Sequence, residues 1–204
     1  MKFLPTTKEE MKNLGWDSID VLLISGDTYL DTSYNGSALV GKWLVEHGFK
    51  VGIIAQPEVD VPDDITRLGE PNLFFAVSGG CVDSMVANYT ATKKRRQQDD
   101  FTPGGVNNKR PDRAVLVYSN MIRRFFKGTT KKIVISGIES SLRRITHYDY
   151  WTNKLRKPIL FDAKADILSY GMGEMSMLQL ANALKNGEDW KNIRGLCYLS
   201  KKMK

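Results

Sequence analysis

Asp27 and Asp31 stand four residues apart in GDTYLDTSYNG, directly after the apolar run IDVLLIS. Paired carboxylates at this spacing can accept hydrogen bonds, cap a turn or begin a cation site, although an oxygen-ligand metal needs more carboxylates than one short loop supplies. Ser33 and Gly36 belong to the same loop. Small and acidic residues recur in SGGCVDSM, with Ser78, Gly79 and Gly80, in GIESSLRR, with Gly137 and Glu139, and in GMGE, with Gly171, Gly173 and Glu174. Glycine lets a backbone turn sharply and come close to a ligand, and amides at helix N-termini attract anions. Each loop taken singly is also what a strand-to-helix turn needs for its caps. Neither a G-x-G-x-x-G fingerprint nor a Walker A lysine motif occurs, so the usual mechanics of dinucleotide or P-loop binding are missing.

The most unusual stretch is SSLRRITHYDYW, which gathers Arg143, Arg144, His147, Tyr148, Tyr150 and Trp151 within nine positions. Guanidinium forks pair with carboxylate or phosphate, and aromatic faces stack on bases or on a partner domain. A satisfied interface or core cluster is the alternative, and a lone histidine more often holds a hydrogen bond than moves a proton. No nucleophile, histidine and carboxylate can be grouped by spacing, so no catalytic residue is assigned. Cys81 and Cys197 are the only two cysteines and lack Cys-x-x-Cys spacing, which points to reduced thiols rather than a zinc site or a disulfide.

A frame for these loops is visible in five short apolar runs: IDVLLIS (19–25), KVGIIA (50–55), NLFFAVS (72–78), KKIVIS (131–136) and ADILSY (165–170). They are apolar on both faces, as strands of a parallel sheet covered by helices on two sides must be. Between the first two, Leu39, Val40, Trp43 and Leu44 make a helical stripe that ends at Gly48. After the last, Met177, Leu178, Leu180, Ala181 and Leu184 can line one face of a helix ended by Gly187, with the methionines filling core. RAVLVYSNMIRRFF has helical length and period, whereas residues 92–112 break the pattern with charge, two prolines and a Pro-Gly-Gly turn. The expectation is one α/β domain over 1–198, a doubly wound, mostly parallel sheet of the Rossmann-like or flavodoxin-like kind, with 92–112 as a long basic loop. In such a sheet ligands bind beyond the carboxyl ends of the strands, where the singled-out loops fall.

The net charge of +7 is unevenly spread: residues 93–157 carry 17 Lys and Arg against 5 Asp and Glu, or +12, and the rest carries 13 against 18, or −5. A positive middle attracts phosphates, nucleic acid or an acidic partner, or is simply a solvated face. The opening MKFLPTTKEEMKNLGW lacks a signal-peptide core, and no apolar run approaches the roughly 20 residues of a membrane span, so a cytoplasmic protein without membrane contact is expected.

Several phrases together resemble one family: FLPTTKEEM, GWDSIDVLLISGDTYLD, VGIIAQP, RLGEPNLFFAVSGGCVDSMVANYTATKKRR, FTPGGVNNKRPDRAVLVYSN, GIESSLRRITHYDYW and DAKADILSYGMGE. In order, from residue 3 to about residue 198, they look like the N-terminal part of the YgiQ-type radical SAM proteins. The wider class is similar to cobalamin-binding-domain radical SAM enzymes, in which a Rossmann-like domain precedes a barrel carrying a 4Fe–4S cluster. The resemblance implies cofactor-facing positions at Asp31 and Gly36, at Ser78 to Gly80, at Gly137 and Glu139, and at Gly171, Gly173 and Glu174, with Asp27 and Ser33 beside them. It also implies that residues 199–204 begin a linker to a barrel.

Two departures qualify that resemblance. The class carries Asp-x-His-x-x-Gly in the first loop, and here Ser33 replaces the histidine, a weak cobalt ligand beside imidazole, so cobalamin binding is expected to be weak or absent. Radical SAM chemistry needs Cys-x-x-x-Cys-x-x-Cys to hold its cluster, and this chain has two cysteines 116 positions apart. The cluster and S-adenosylmethionine are therefore expected only in an intact protein, with this chain a non-catalytic module that covers or docks on the barrel. The rival readings are a nucleic-acid-binding module using the basic 93–157 segment, and a small-molecule or nucleotide-binding enzyme domain using Asp27, Glu139 or His147.

Overall fold

The computed structural model describes residues 3–30 and 36–200. Four of the apolar runs pair side by side as parallel strands β1 (Val21–Ser25), β2 (Val51–Ala55), β3 (Phe74–Ser78) and β4 (Lys132–Ser136). Their unbroken apolarity has a direct cause. Leu22, Ile24, Phe75, Val77 and Ile135 enter one core layer, while Val21, Leu23, Phe74, Ala76 and Val134 enter the other. Successive side chains of a strand point to opposite faces, so a sheet covered on both sides needs apolar residues at every position. The fifth run supplies β7 (Ile167–Ser169), parallel to β4.

The sheet runs β2-β1-β3-β4-β7-β8, with β8 (Leu196–Tyr198) antiparallel at one edge. This is the doubly wound order whose direction reverses between β1 and β3, and a crevice opens there. The amino-terminal segment shields the other edge, where Ile53 N donates to Pro5 O at 3.0 Å before α1 (Lys8–Asn13) begins. Helices α2 (Gly36–Glu46) and α8 (Glu174–Asn186) cover one face, burying Leu44, Met177, Leu180 and Ala181. On the other face α5 (Ala114–Phe125) packs with α3 (Pro62–Thr66) and α7 (Ile159–Ala163). The α8 stripe is core as expected, whereas Leu39 of the α2 stripe is exposed at the crevice mouth. Among the described residues no helix is long and apolar enough to cross a membrane.

Residues 92–112 have little regular structure and expose Lys93, Lys94, Arg95, Arg96 and Lys109, but the segment is tied down at one buried residue. Arg110 is fully buried, and its Nη2 lies 2.8 Å from Asp27 Oδ1 and 3.2 Å from both carboxylate oxygens of Asp99. Its guanidinium also sits over the Phe101 ring at 5.5 Å. Gln56, held at a positive φ of 45°, donates through Nε2 to Gly26 O at 3.0 Å and to Thr102 Oγ1 at 2.7 Å. Thr28 N donates to Phe101 O at 2.9 Å, so the segment is strapped across the loops that follow β1 and β2. A buried guanidinium survives only when paired, and two buried carboxylates without it are worse off still.

Replacing Arg110 by Met strands two buried carboxylates, so urea unfolding should show a loss of about 3–5 kcal/mol. Adding Asp27→Asn and Asp99→Asn to that variant should restore much of it. A loss below about 1 kcal/mol for the single variant would show that the guanidinium does not compensate those acids.

Candidate functional site

A cavity of about 590 Å³ opens at the carboxyl ends of β1, β3 and β4 and the loop after β7, beside the N-termini of α2 and α8. This volume falls in the ~300–1,000 Å³ range of small-molecule sites. Leu23 and Ala76 form apolar floor, Val40 and Met177 line the helix side, and Leu39, Ile138 and Met172 lie at the mouth. Three serines cross it in strand register: Ser25 opposite Ser78, and Ser78 opposite Ser136. Ser25 Oγ accepts from Asp27 N at 3.1 Å and Ser78 Oγ from Gly80 N at 3.2 Å, so each hydroxyl fastens its own loop. Ser136 stands where the resembled family has a glycine in its third loop, and Ser25 alone of the three carried no expectation from the sequence. A signal existed, since IDVLLIS, NLFFAVS and KKIVIS each end on serine where a strand reaches the carboxyl edge.

Asp27, Gly36, Ser78, Gly80, Gly137, Gly171, Gly173 and Glu174 line the cavity. Gly79 and Glu139 do not appear in its lining, and Asp31 and Ser33 lie outside the described residues. The glycines divide by what occupies the space a side chain would fill. A Cβ on Gly80 would fall 2.1 Å from Asp27 Oδ1, and one on Gly79 would fall 2.4 Å from Glu139 Oε2. These two glycines make room for the protein's own carboxylates rather than for a ligand. Among the described residues no heavy atom lies within 4 Å of that point at Gly36 or Gly171, so neither makes room for a neighbouring side chain, and the Gly171 amide donates to Ser141 Oγ at 3.3 Å.

Glu139 departs most from the role expected of it. It is buried, its Oε2 accepts from Ser84 N at 3.1 Å, and its Oε1 accepts from Val115 N at 3.3 Å. Ser84 and Val115 belong to the first turns of α4 (Ser84–Asn88) and α5, so one carboxylate caps two helices. Burial, with Asp83 nearby, holds its pKa above the ordinary carboxylate value. Burial likewise raises Asp27 against the pull of Arg110, and Asp27 Oδ2 accepts from Cys81 N at 2.6 Å. The Cys81 thiol is pushed up to about 12 by burial and by that carboxylate, so it is no thiolate nucleophile at neutral pH. Among the described residues no three His, Cys, Asp or Glu side chains gather as a metal site.

Residues 3–204 match the family model described as Radical SAM N-terminal. The chain belongs to that family. It is 98% identical over its whole length to a UPF0313 protein of Fusobacterium nucleatum subsp. nucleatum, of which it covers 36%. It is 57% identical over 199 residues to a UPF0313 protein of Thermotoga neapolitana, covering 35% of that protein. A UPF0313 protein of Methanocaldococcus jannaschii is 54% identical over 191 residues, with 31% of it covered. The Radical SAM N-terminal chain thus spans about a third of the length of the curated relatives it matches. Among solved structures it is similar to TsrM of Kitasatospora setae, a radical S-adenosylmethionine methyltransferase, with a TM-score of 0.58 and 18% identity. The match covers 89% of this chain and 28% of that one. A second TsrM structure, with cobalamin and a [4Fe-4S] cluster bound, matches with a TM-score of 0.58 at 17% identity over 90% of this chain. At such identity the likeness establishes a shared fold, which agrees with the expected Rossmann-like class.

The basic and aromatic cluster of this Radical SAM N-terminal domain is split between separate tasks. Arg143, expected as a free fork, instead pairs with Asp83 Oδ2 and donates to Glu139 O at 3.2 Å, helping to hold α6 (Gly137–Leu142) against α4. Arg144 is exposed, with its guanidinium 5.3 Å from the centre of the Tyr170 ring. His147, Tyr148 and Asp149 form β5 of a hairpin closed by β6 (Lys154–Arg156), which the sequence pattern did not announce. His147 Nδ1 lies 3.1 Å from Ile145 O, and Tyr148 Oη donates to Asn153 Oδ1 at 2.6 Å. Lys93 Nζ donates to Tyr150 O at 3.1 Å and lies 4.6 Å from the Tyr150 ring, while Trp151 packs on Tyr89 at 5.0 Å. The anchor of the hairpin is Asp149, buried and 2.8 Å from Arg113 Nη2. Burial opposes its ionisation, but the Thr152 hydroxyl and Arg113 outweigh it and hold the carboxyl at about 2.

Two measurements test these assignments. Gly79→Ala should lower the urea midpoint strongly, because its Cβ meets a carboxylate fixed between two helix ends, whereas Gly36→Ala should change stability by less than about 1 kcal/mol. Equal effects at the two positions would overturn the division of the glycines. Asp149 titrates lower in the folded chain than its unfolded value near 3.8, so its contribution is complete above about pH 4 and fades as pH falls towards 2. Comparison with Asp149→Asn should show a difference of about 2 kcal/mol at pH 7 that shrinks through that window. A difference that stayed constant with pH would exclude a charge-based role.

Proposed function

We propose that this chain is a non-catalytic Rossmann-like module of a longer radical SAM protein, covering the part of that protein in which the chemistry takes place. The observation that carries the reading is the donor set at the carboxyl edge. Of the two histidines, His47 lies on the far end of α2 with Nδ1 2.7 Å from Trp43 O, and His147 sits in the hairpin; neither lines the cavity. The one cysteine in the lining, Cys81, is held as a thiol. Iron–sulfur clusters need several thiolates, and cobalt is commonly held by imidazole. In this reading the cluster and S-adenosylmethionine belong to the longer protein, and the residues around the cavity do not fit a protein-ligated cobalamin.

Beside the carboxylates of Asp27 and Glu174, the cavity offers an apolar floor and a row of hydroxyls, which suits a largely apolar part of a ligand held partly from the other side. The nucleic-acid alternative is weakened by the way Lys93, Arg113 and Arg143 are engaged within the chain. Isothermal calorimetry with hydroxocobalamin tests the reading. The expected dissociation constant is weaker than about 100 μM, and micromolar or tighter binding would show that the cavity is a cobalamin site without a protein imidazole.

A further inference from the structure

The β5–β6 hairpin has its chemistry inside out. In a hairpin lying on a globular body the apolar side chains face inward and the polar ones meet water. Here Asp149 is the buried residue, pinned to Arg113 at 2.8 Å, and Arg156 turns to Asp162 at 2.8 Å. Tyr148 and Leu155 are direct cross-strand partners, so their side chains share the outer face, and Leu155 is 77% exposed. Leu142 and Ile145, on the approach to the hairpin, are 60% and 63% exposed. Scattered single apolar residues on a surface need no explanation, but an apolar pair presented by ion pairs beneath it is a different matter. An isolated two-stranded hairpin is marginal in water, and nothing within the chain covers the outer side of this one among the described residues.

We propose that the outer face of this hairpin, centred on Tyr148 and Leu155, is a docking surface for the part of the longer polypeptide that lies beyond these 204 residues. The inference rests on the covering role given above and names the surface through which it is exerted. The curated relatives are about three times as long as this chain, so an occupant is available at high effective concentration. Charge argues against a second copy: Lys154 is exposed next to Leu155 in β6, and the 93–157 segment that contains the hairpin carries +12, so a two-fold contact would set positive charge against itself. The fitting partner surface is an apolar recess rimmed by carboxylates.

The test uses the full-length Fusobacterium nucleatum relative, which is 98% identical over this region. A photoreactive benzoylphenylalanine at position 155 should cross-link within one polypeptide to a peptide outside residues 1–204, and the same probe at the exposed Val61 should not. Cross-links between two copies, or none from position 155, would overturn the proposal. As a second measurement, Tyr148→Ser with Leu155→Ser should speed tryptic separation of the two parts about tenfold without changing the far-ultraviolet circular dichroism, as loss of interface anchors predicts. Unchanged cleavage would also count against it. Cobalamin binding and cross-linking are independent readouts, so failure of one reading is distinguishable from failure of the other.

Discussion

A single buried guanidinium ties the functional edge of this domain together. Arg110 reaches from the segment after β3 to Asp27 in the loop after β1, and it holds Asp99 of its own segment on the same nitrogen. Removing three charges from water is costly unless each is met by another, so the chain can bury these groups only in this arrangement. The consequence is that a long charged segment becomes a fixed wall of the carboxyl edge. Gln56 and Thr28 complete the strap with bonds to Phe101 and Thr102.

The same principle governs the glycine-rich loops. Asp27 and Glu139 lie where side chains on Gly80 and Gly79 would have to be, and Glu139 caps α4 and α5 at once. The loop after β3 is therefore shaped from below by acids of its neighbours. Gly36 and Gly171, on the flanks of the strand-order reversal, have no such carboxylate neighbour among the described residues. The fold alone does not fix what such a crevice holds, since binding depends on the side chains at the strand ends and not on the strand order.

Charge is distributed by the same economy. The +12 of residues 93–157 suggests a broad positive face, yet Arg110, Arg113 and Arg143 are each spent on an internal carboxylate. Ten cations of that segment still stand exposed, among them Lys93, Lys94, Arg95, Arg96 and Lys109 in the stretch after α4 and Lys154 beside Leu155. Several of these are engaged within the chain, Lys93 on the hairpin backbone, Arg95 with Asp112 and Arg124 with Asp60, so not all of the exposed charge is free to meet a polyanion.

The parallel sheet, its covering helices and the edge at which ligands meet it were legible in the sequence, because runs such as VLLIS and FFAVS can be buried on both sides only in that architecture. The glycine and serine loops were legible as the carboxyl edge for the same reason. The roles within that edge were not. Whether Gly80 makes room for a ligand or for Asp27, whether Arg143 is a fork or a strut, and whether Arg110 faces water or the core depend on contacts between residues 11 to 83 positions apart. The hairpin was equally hidden, since its polar residues face inward and reverse the alternation by which a strand is read. Local sequence determines which segments must be buried, because hydrophobicity and backbone preference act over a few residues. Which charge meets which is decided only when the folded chain brings distant loops together, because ion pairing depends on distance in space.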